Sequence, residues 1–293
     1  MERYPKISIV TVNYNKASYL ERTIKSVLDQ GYPNLEYIII DGGSQDGSVD
    51  IIRKYERELA YWVSEADEGM YYAIRKGFSH ATGEILAWIN SDDMYHRNSF
   101  FTVSEIFSSF QEIEWLVGYS TLWDDYDRCI YAFENKYFNH ISFLRGDYKL
   151  IQQESSFWRK SLYDRVGGVC VDYKLAGDFA LWMRFSRIAK MYVYNGLLGG
   201  FRYSKGDQLS KNMGKYIDEC KAIIASEPIL KEEKRLISSL NRNDFLCRVI
   251  SRISKRFIDG EFFRNKVFKD QQLEAFRHHV YFNRATYSFS IRK

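Results

Sequence analysis

Short apolar runs alternate with amphipathic stretches through the first part of the chain. Residues 7–12 (ISIVTV) are continuously apolar and β-branched, the pattern of a strand buried on both faces of a parallel sheet. Asn15 is placed to cap the next segment, where Ala17, Leu20, Ile24, Val27 and Leu28 recur at helical spacing up to Gly31. Residues 35–40 (LEYIII) predict a second buried strand, broken by the turn-forming stretch 41–47 (DGGSQDG). A helix with Val49, Ile51, Ile52 and Tyr55 on one side follows, then a short strand at 61–63. Gly69, Ala73 and Gly77 lie four apart and draw a smooth helical stripe that permits close approach to a sheet. Residues 84–89 (EILAWI) predict a further strand, ending at Asn90-Ser91-Asp92-Asp93. This alternation predicts an α/β fold with a doubly wound, mostly parallel sheet and right-handed crossovers.

The pattern changes from Gln111. Residues 115–118 and 131–133 predict strands on either side of an acidic turn at 124–127, a helix begins near Asp178, a strand covers 191–194, and 213–226 has helical periodicity. Beyond Pro228 the chain is rich in Arg, Lys, Phe and Ile, and two or three amphipathic helices are expected there, with His278 and His279 at the surface. The expected organisation is therefore 1–110 as one half of the main domain, 111–226 as its other half, and 227–293 as a basic helical extension.

Composition narrows the class. Of 293 residues 45% are hydrophobic and 27% charged, which supports a packed core and argues against global disorder. No run approaches the ~18–20 uninterrupted apolar residues of a membrane helix. The start of the chain shows no leader-like apolar segment, and Cys129, Cys170, Cys220 and Cys247 stand singly, so a reduced, cytoplasmic protein is expected. The net charge of +4 conceals an asymmetry: residues 231–293 carry 15 basic against 7 acidic groups, while the remainder is acidic. A basic amphipathic extension suits peripheral contact with anionic lipid at the inner face of the membrane, or packing on the main domain or a second copy. A homo-oligomer is compatible with this pattern. No finger, helix-turn-helix or RNA-binding signature accompanies the charge, so nucleic acid is not an expected partner.

Candidate chemistry lies at the strand ends. In open α/β sheets ligands bind outside the carboxyl ends of the strands, and here two strands run into acids, Asp41 and Asp92-Asp93. Neighbouring carboxylates repel one another unless a cation or hydrogen-bond donors neutralise them. Their hard oxygens suit Mg²⁺ or Mn²⁺, which completes its shell with water and phosphate oxygens. GxGxxG, GK[ST], GxSxG and HExxH are all absent, which removes support for dinucleotide dehydrogenases, P-loop kinases, serine hydrolases and zinc proteases.

Residues 7–15, 41–48, 64–83, 90–95 and 152–185, in that order, resemble the motifs of family 2 glycosyltransferases, specifically the type that builds bacterial surface polysaccharides. The resemblance implies a GT-A fold, a UDP-sugar donor and a divalent metal, Mn²⁺ or Mg²⁺. It implies that Thr11, Asn13 and Tyr14 line the base pocket, that Asp41 accepts from the uracil ring, and that Asp67 faces the nucleoside. Lys76 and Arg75 would approach the diphosphate, and Asp92 and Asp93 would share the metal and ribose. Gln153, Glu154 and Trp158 fall in an acceptor-side motif, and Asp178 corresponds to the base that takes the proton of the attacking hydroxyl, with inversion at the anomeric carbon. Phe201-Arg202 and Gln208-Leu209-Ser210 resemble a further acceptor-side or phosphate-side loop. By themselves Lys76 reads as a solvated helix lysine, Asp178 as a helix cap, and Phe157, Trp158 and Trp182 mostly as core aromatics.

This chain departs from the family pattern at Asn90, where the metal motif commonly begins with Asp, and at Tyr72 and Arg75. The implied activity is transfer of a hexose or N-acetylhexosamine to a hydroxyl of a saccharide, or lipid-linked saccharide, acceptor. The same sheet could serve a sugar-nucleotide nucleotidyltransferase, although 13–16 (NYNK) lacks the glycine-rich loop such an enzyme would carry after the first strand. It could also serve a non-catalytic nucleotide-sugar-binding protein.

Overall fold

A computed structural model describes residues 4–135, 138–146, 151–203, 212–254 and 278–292, with the main chain alone at 243–254. β1 (Ile7–Asn13) is buried at every position. It is followed by α1 (Ala17–Leu28), β2 (Leu35–Asp41), α2 (Ser48–Lys54), β3 (Tyr61–Ser64), α3 (Met70–His80) and β4 (Ile85–Asn90). Then come β5 (Met94–Tyr95), α4 (Ser99–Ser109), β6 (Trp115–Trp123), β7 (Cys129–Phe133), α5 (His140–Leu144), β8 (Ser156–Arg159), α6 (Lys160–Arg165) and α7 (Gly177–Ile188). β9 (Met191–Leu197), β10 (Gly199–Arg202), α8 (Met213–Ser226), α9 (Lys231–Ser254), β11 (His279–Asn283) and β12 (Ser288–Ile291) complete the described elements.

The sheet runs β12-β11-β9-β6-β8-β4-β1-β2-β3. β1, β2, β3 and β4 are mutually parallel, while β8 is inserted antiparallel between β4 and β6. Register aligns the carboxyl ends: Asn13 lies opposite Asp41, and Val12 opposite Asn90. Alternate strand residues feed two cores. Val10, Val12, Ile38 and Ile40 pack with α3 and α7, while Ile7, Ile9, Ile39 and Ile85 pack with α1, α2 and α4. This is the expected three-layer α/β arrangement, with the strands buried on both faces.

Close packing on the α3 side depends on Gly77, where a Cβ would overlap Val10 Cγ1 on β1. Gly69, by contrast, meets nothing there; it precedes α3 with φ of 131°, a backbone region that favours glycine. Asn15 does not cap α1. It sits at φ 51° and its Oδ1 accepts from Gln45 N–H, and the Ala17 N–H is instead accepted by Asp46 Oδ2 at 2.8 Å. The cap of α1 thus comes from the second strand–helix loop.

Trp88, Trp115, Trp158 and Trp182 converge in the core, Trp182 stacking on Trp88 at 5.8 Å and on Trp115 at 5.3 Å. Trp158 and Phe157 are fully buried and Trp182 nearly so, which corrects the acceptor-side placement of Trp158: its ring faces other rings. The expected all-helical extension is also corrected. After α9, the chain returns as a hairpin whose β11 pairs parallel with β9, so residues 279–291 extend the main sheet. Val280, Phe282, Phe289 and Ile291 follow a period of two rather than 3.6, and Phe289 packs edge-on against Tyr194. His278 and His279 are accordingly buried, and His279 Nδ1 bonds Asn195 Oδ1 at 2.8 Å. Among the described residues no helix is long and apolar enough to cross a membrane.

Candidate functional site

Asp41 ends β2 and is fully buried. Its Oδ1 accepts from Asn13 Nδ2 and Ser44 Oγ, both at 2.6 Å; its Oδ2 accepts from Ser64 Oγ (2.6 Å), Ser44 N (2.9 Å) and Gly43 N (3.2 Å). Burial pushes its pKa up, but the donors, with Ser44 and Ser64 foremost, outweigh it and hold the carboxyl below its usual range. Five protein donors saturate both oxygens, so Asp41 organises the 42–44 loop and does not present an acceptor to a uracil ring. Thr11 is likewise one layer down, its Oγ1 bonded to Tyr37 Oη at 2.9 Å.

The exposed surface above this buried net belongs to Tyr14 and Asp67. A Cβ placed on Gly42 would lie 3.0 Å from Asp67 Oδ2 and 3.3 Å from Tyr14 Cδ2, so the absence of a side chain at 42 keeps a slot open between the two. From there a groove of about 340 Å³ runs along α3, lined by Glu65, Asp67, Glu68, Tyr72, Arg75 and Lys76. Lys76 pairs with Glu65, and the Arg75 guanidinium lies 5.4 Å from the centre of the Tyr72 ring. Tyr14, Asp67, Arg75 and Lys76 thus share one exposed region, distinct from the buried Asn13–Asp41 pair beneath it.

The Asp92-Asp93 doublet divides into two environments. Asp93 is fully buried; its Oδ1 accepts from Arg202 N at 2.8 Å and its Oδ2 from Asn90 Nδ2 at 3.2 Å. Burial first, and then Glu154 and Asp92, push its pKa well above the usual range. Asp92 keeps 14% of its side chain accessible and pairs with Lys16 at 3.0 Å. Among the described residues no three His, Cys, Asp or Glu side chains gather so as to hold a metal ion. Asp92 by itself suits a hard cation that draws its other ligands from phosphates and water. Asp93, turned into the protein, does not. The expectation of a shared metal role is therefore narrowed to Asp92. Lys16, which no sequence signal marked, is the cation nearest that carboxylate.

Asp178 occupies the first turn of α7 and is partly buried. Burial raises its pKa to about 6 and Glu219 adds to the rise, while the Phe179 N–H at 2.8 Å and Tyr71 favour the charged form. A carboxylate tuned toward neutrality is suited to act as a general base. Tyr71 was invisible to sequence reasoning because its partner lies 107 positions away. Its hydroxyl donates to Leu175 O at 2.8 Å, lies 3.3 Å from Asp178 Oδ1, and accepts from Asp178 N. Glu219 on α8 secures the same turn by accepting from Leu175 N and Ala176 N, each at 2.8 Å. Replacing Tyr71 by Phe removes the hydroxyl that lies 3.3 Å from Asp178 Oδ1 and favours its charged form, and should raise the Asp178 pKa. The acid limb of the rate profile is then expected to move to higher pH, and an unmoved limb would show that Tyr71 does not tune Asp178.

Glu154 joins the two carboxylate regions. It lies buried in a 3-10 turn, Gln153–Ser155. Burial pushes its pKa up to about 8, with Asp178 and Asp92 contributing in the same direction. Asp92, Asp93, Glu154 and Asp178 therefore form one electrostatically linked group at the carboxyl edge of the sheet. Arg202, expected on an acceptor-side or phosphate-side loop, is fully buried, its Nε donating to Asp92 O at 2.7 Å. Gln208, Leu209 and Ser210 lie outside the described residues.

The family profile for glycosyl transferase family 2 matches residues 8–109. An uncharacterized glycosyltransferase of Mycobacterium tuberculosis is 32% identical over 198 residues, covering 65% of this chain and 72% of that protein. The Bacillus subtilis protein named "Putative teichuronic acid biosynthesis glycosyltransferase TuaG" is 36% identical over 97 residues, 32% of this chain and 38% of that protein. Among solved structures, S. aureus TarS 1-349 in complex with UDP-GlcNAc superposes with a TM-score of 0.63 at 16% identity, covering 92% of this chain and 79% of that one. The mannosyltransferase PcManGT of Pyrobaculum calidifontis, in complex with GDP-Man and Mn²⁺, gives 0.60 at 15% identity, covering 80% of this chain and 68% of that one. The described architecture, the ordered acidic strand ends and these matches together make the chain a member of glycosyl transferase family 2, with the GT-A fold.

Proposed function

We propose that the protein transfers a hexose or N-acetylhexosamine from a UDP-sugar to a hydroxyl of a saccharide acceptor, lipid-linked in the cell, during synthesis of a surface polysaccharide. The observation that supports this reading is that Asp92, just after β4, and Asp178, in the first turn of α7, both act on the buried Glu154, so a carboxylate suited to a hard cation and one suited to accept a proton share one neighbourhood. TuaG supports the polysaccharide setting, and TarS and PcManGT support a nucleotide-sugar donor, although those two hold different nucleotides.

The acceptor hydroxyl approaches the anomeric carbon from the side of Asp178. As its oxygen bonds to that carbon, its proton passes to the Asp178 carboxylate, and the bond from carbon to the diphosphate oxygen breaks. Attack opposite the leaving group inverts the centre. Asp92 would hold a divalent cation, which when bound would supply stabilisation of the charge on the departing diphosphate. Tyr14 and Asp67 flank the slot that receives the nucleoside, and Arg75 and Lys76 add positive charge along the groove.

The test is thermal stabilisation by UDP-, GDP- and dTDP-sugars with and without Mn²⁺. A bound donor at 100 times its dissociation constant stabilises by ~2.7 kcal/mol. A UDP-sugar should raise the melting temperature, Mn²⁺ should enlarge the rise, and Asp92→Asn should remove only the Mn²⁺-dependent part. A chain that responds to none of these ligands would end the donor reading.

A further inference from the structure

A transferred sugar has to lie between its diphosphate and the base, that is, between the surroundings of Asp92 and those of Asp178. Glu154 feels both Asp92 and Asp178, and Gln153 precedes it in the same turn; the two are 2% and 8% exposed. Three of their side-chain polar atoms, Gln153 Nε2, Gln153 Oε1 and Glu154 Oε1, are buried with no hydrogen-bond partner among the described residues. Buried polar groups are ordinarily paired, and orphaned ones call for an explanation. Three on consecutive residues point to a ligand that completes them.

The turn is not free to relieve these atoms by moving. Gln152 Oε1 accepts from Thr121 N at 2.9 Å, Ser155 Oγ donates to Tyr119 O at 2.8 Å, and Gly199 packs so tightly that a Cβ there would overlap the Glu154 carbonyl oxygen. The unpaired atoms are therefore held in place. Their chemistry also selects among ligands. The Gln153 amide offers both a donor and an acceptor, which neither a cation nor a phosphate can use together, and the Glu154 carboxyl, held toward its neutral form by burial, can also donate or accept. Groups that donate and accept side by side match vicinal hydroxyls, each of which can both donate and accept.

We propose that Gln153 and Glu154 read hydroxyls of the transferred sugar and so decide which hexosyl donor is accepted. This rests on the donor reading above, and it moves both residues from the acceptor side to the donor sugar. Unpaired buried atoms in the free protein are the cost of a site completed by its ligand.

Glu154→Gln and Gln153→Met test it. Calorimetric affinities would be taken for UDP, GDP and their glucose, galactose, N-acetylglucosamine and mannose derivatives, with melting temperatures of each free variant. The expected result is unchanged nucleotide affinity, a shift of about tenfold or more in the ratio between sugars, and a melting temperature equal to or above that of the wild type. Wild-type ratios in both variants would overturn the proposal while leaving the donor reading intact. Uniformly weaker binding of nucleotides and sugars with a lowered melting temperature would show that the turn is only structural, and would also overturn it. If the wild type binds no nucleotide or nucleotide sugar, both readings fall together.

Discussion

Replacing Asp178 by Asn is expected to leave nucleotide-sugar affinity unchanged and to reduce transfer by ~10²–10⁴-fold, the usual contribution of a positioned general base. Asn keeps the size of the side chain and still offers an oxygen to the Phe179 N–H and to Tyr71. What it loses is the ability to take the proton of the attacking hydroxyl. In the wild type that ability depends on pH. The carboxyl pKa is raised to about 6, chiefly by burial, so the rate should climb as pH rises through about 6 and flatten above it, whereas the residual rate of the variant should lack that limb. The linkage to stability has the opposite sign. A carboxyl that holds its proton more tightly when folded favours the native state most below its unfolded pKa, and that advantage fades as pH rises toward the folded value. At pH 7 the wild type has to keep an ionised group in a partly buried site, and the variant should therefore be no less stable. Near-wild-type turnover in a folded Asp178→Asn protein would remove the assignment of the base.

The readable part of this protein was the part whose physics is local. Residues 7–12 and 35–40 are buried on both faces, so their continuous apolar runs declare strands without reference to anything distant, and β1, β2 and α8 lie where periodicity puts them. The helix that begins near Asp178 was legible too, and the residue lies in its first turn. What escaped was set by partners far along the chain. Nothing in 41–47 says that Asn13, Ser44 and Ser64 saturate Asp41, because the Asn13 and Ser64 contacts form only once β1, β2 and β3 are in register. Two adjacent aspartates look equivalent in sequence; burial of one against Arg202 N, 109 positions away, makes them differ. The hairpin at 279–291 is hidden by the basic, helix-like stretch before it, although it holds a single Arg and its apolar positions alternate at the strand period. Trp158 was drawn toward the acceptor by its neighbours in the motif, yet the four-tryptophan core claims it.

Arg202 carries the second large effect. It is fully buried, and its guanidinium joins three segments: Nε donates to Asp92 O at 2.7 Å, one terminal nitrogen donates to Asp124 O, and the other pairs with Asp127 at 2.7 Å. The group also lies 5.0 Å from the centre of the Tyr19 ring on α1, and Tyr19 Oη in turn bonds Asp125 at 2.9 Å. β10, the Asp92-Asp93 turn and the 124–127 turn are thus pinned to α1 by one side chain. Removing it costs ~1–3 kcal/mol, because the part-buried carbonyl oxygens of Asp92 and Asp124 lose their donors, while Asp127, 39% exposed, keeps access to water. Arg202→Met should lower stability by that amount in urea unfolding. It should also weaken donor binding, since the main-chain oxygen of Asp92 is what Arg202 grips. Arg202→Lys keeps the charge but cannot reproduce a planar fork reaching three acceptors, and it should recover little. This separates geometry from charge. If Lys restored both the unfolding midpoint and the donor affinity, Arg202 would be supplying positive charge alone, and the Asp92 turn would hold its position without being pinned.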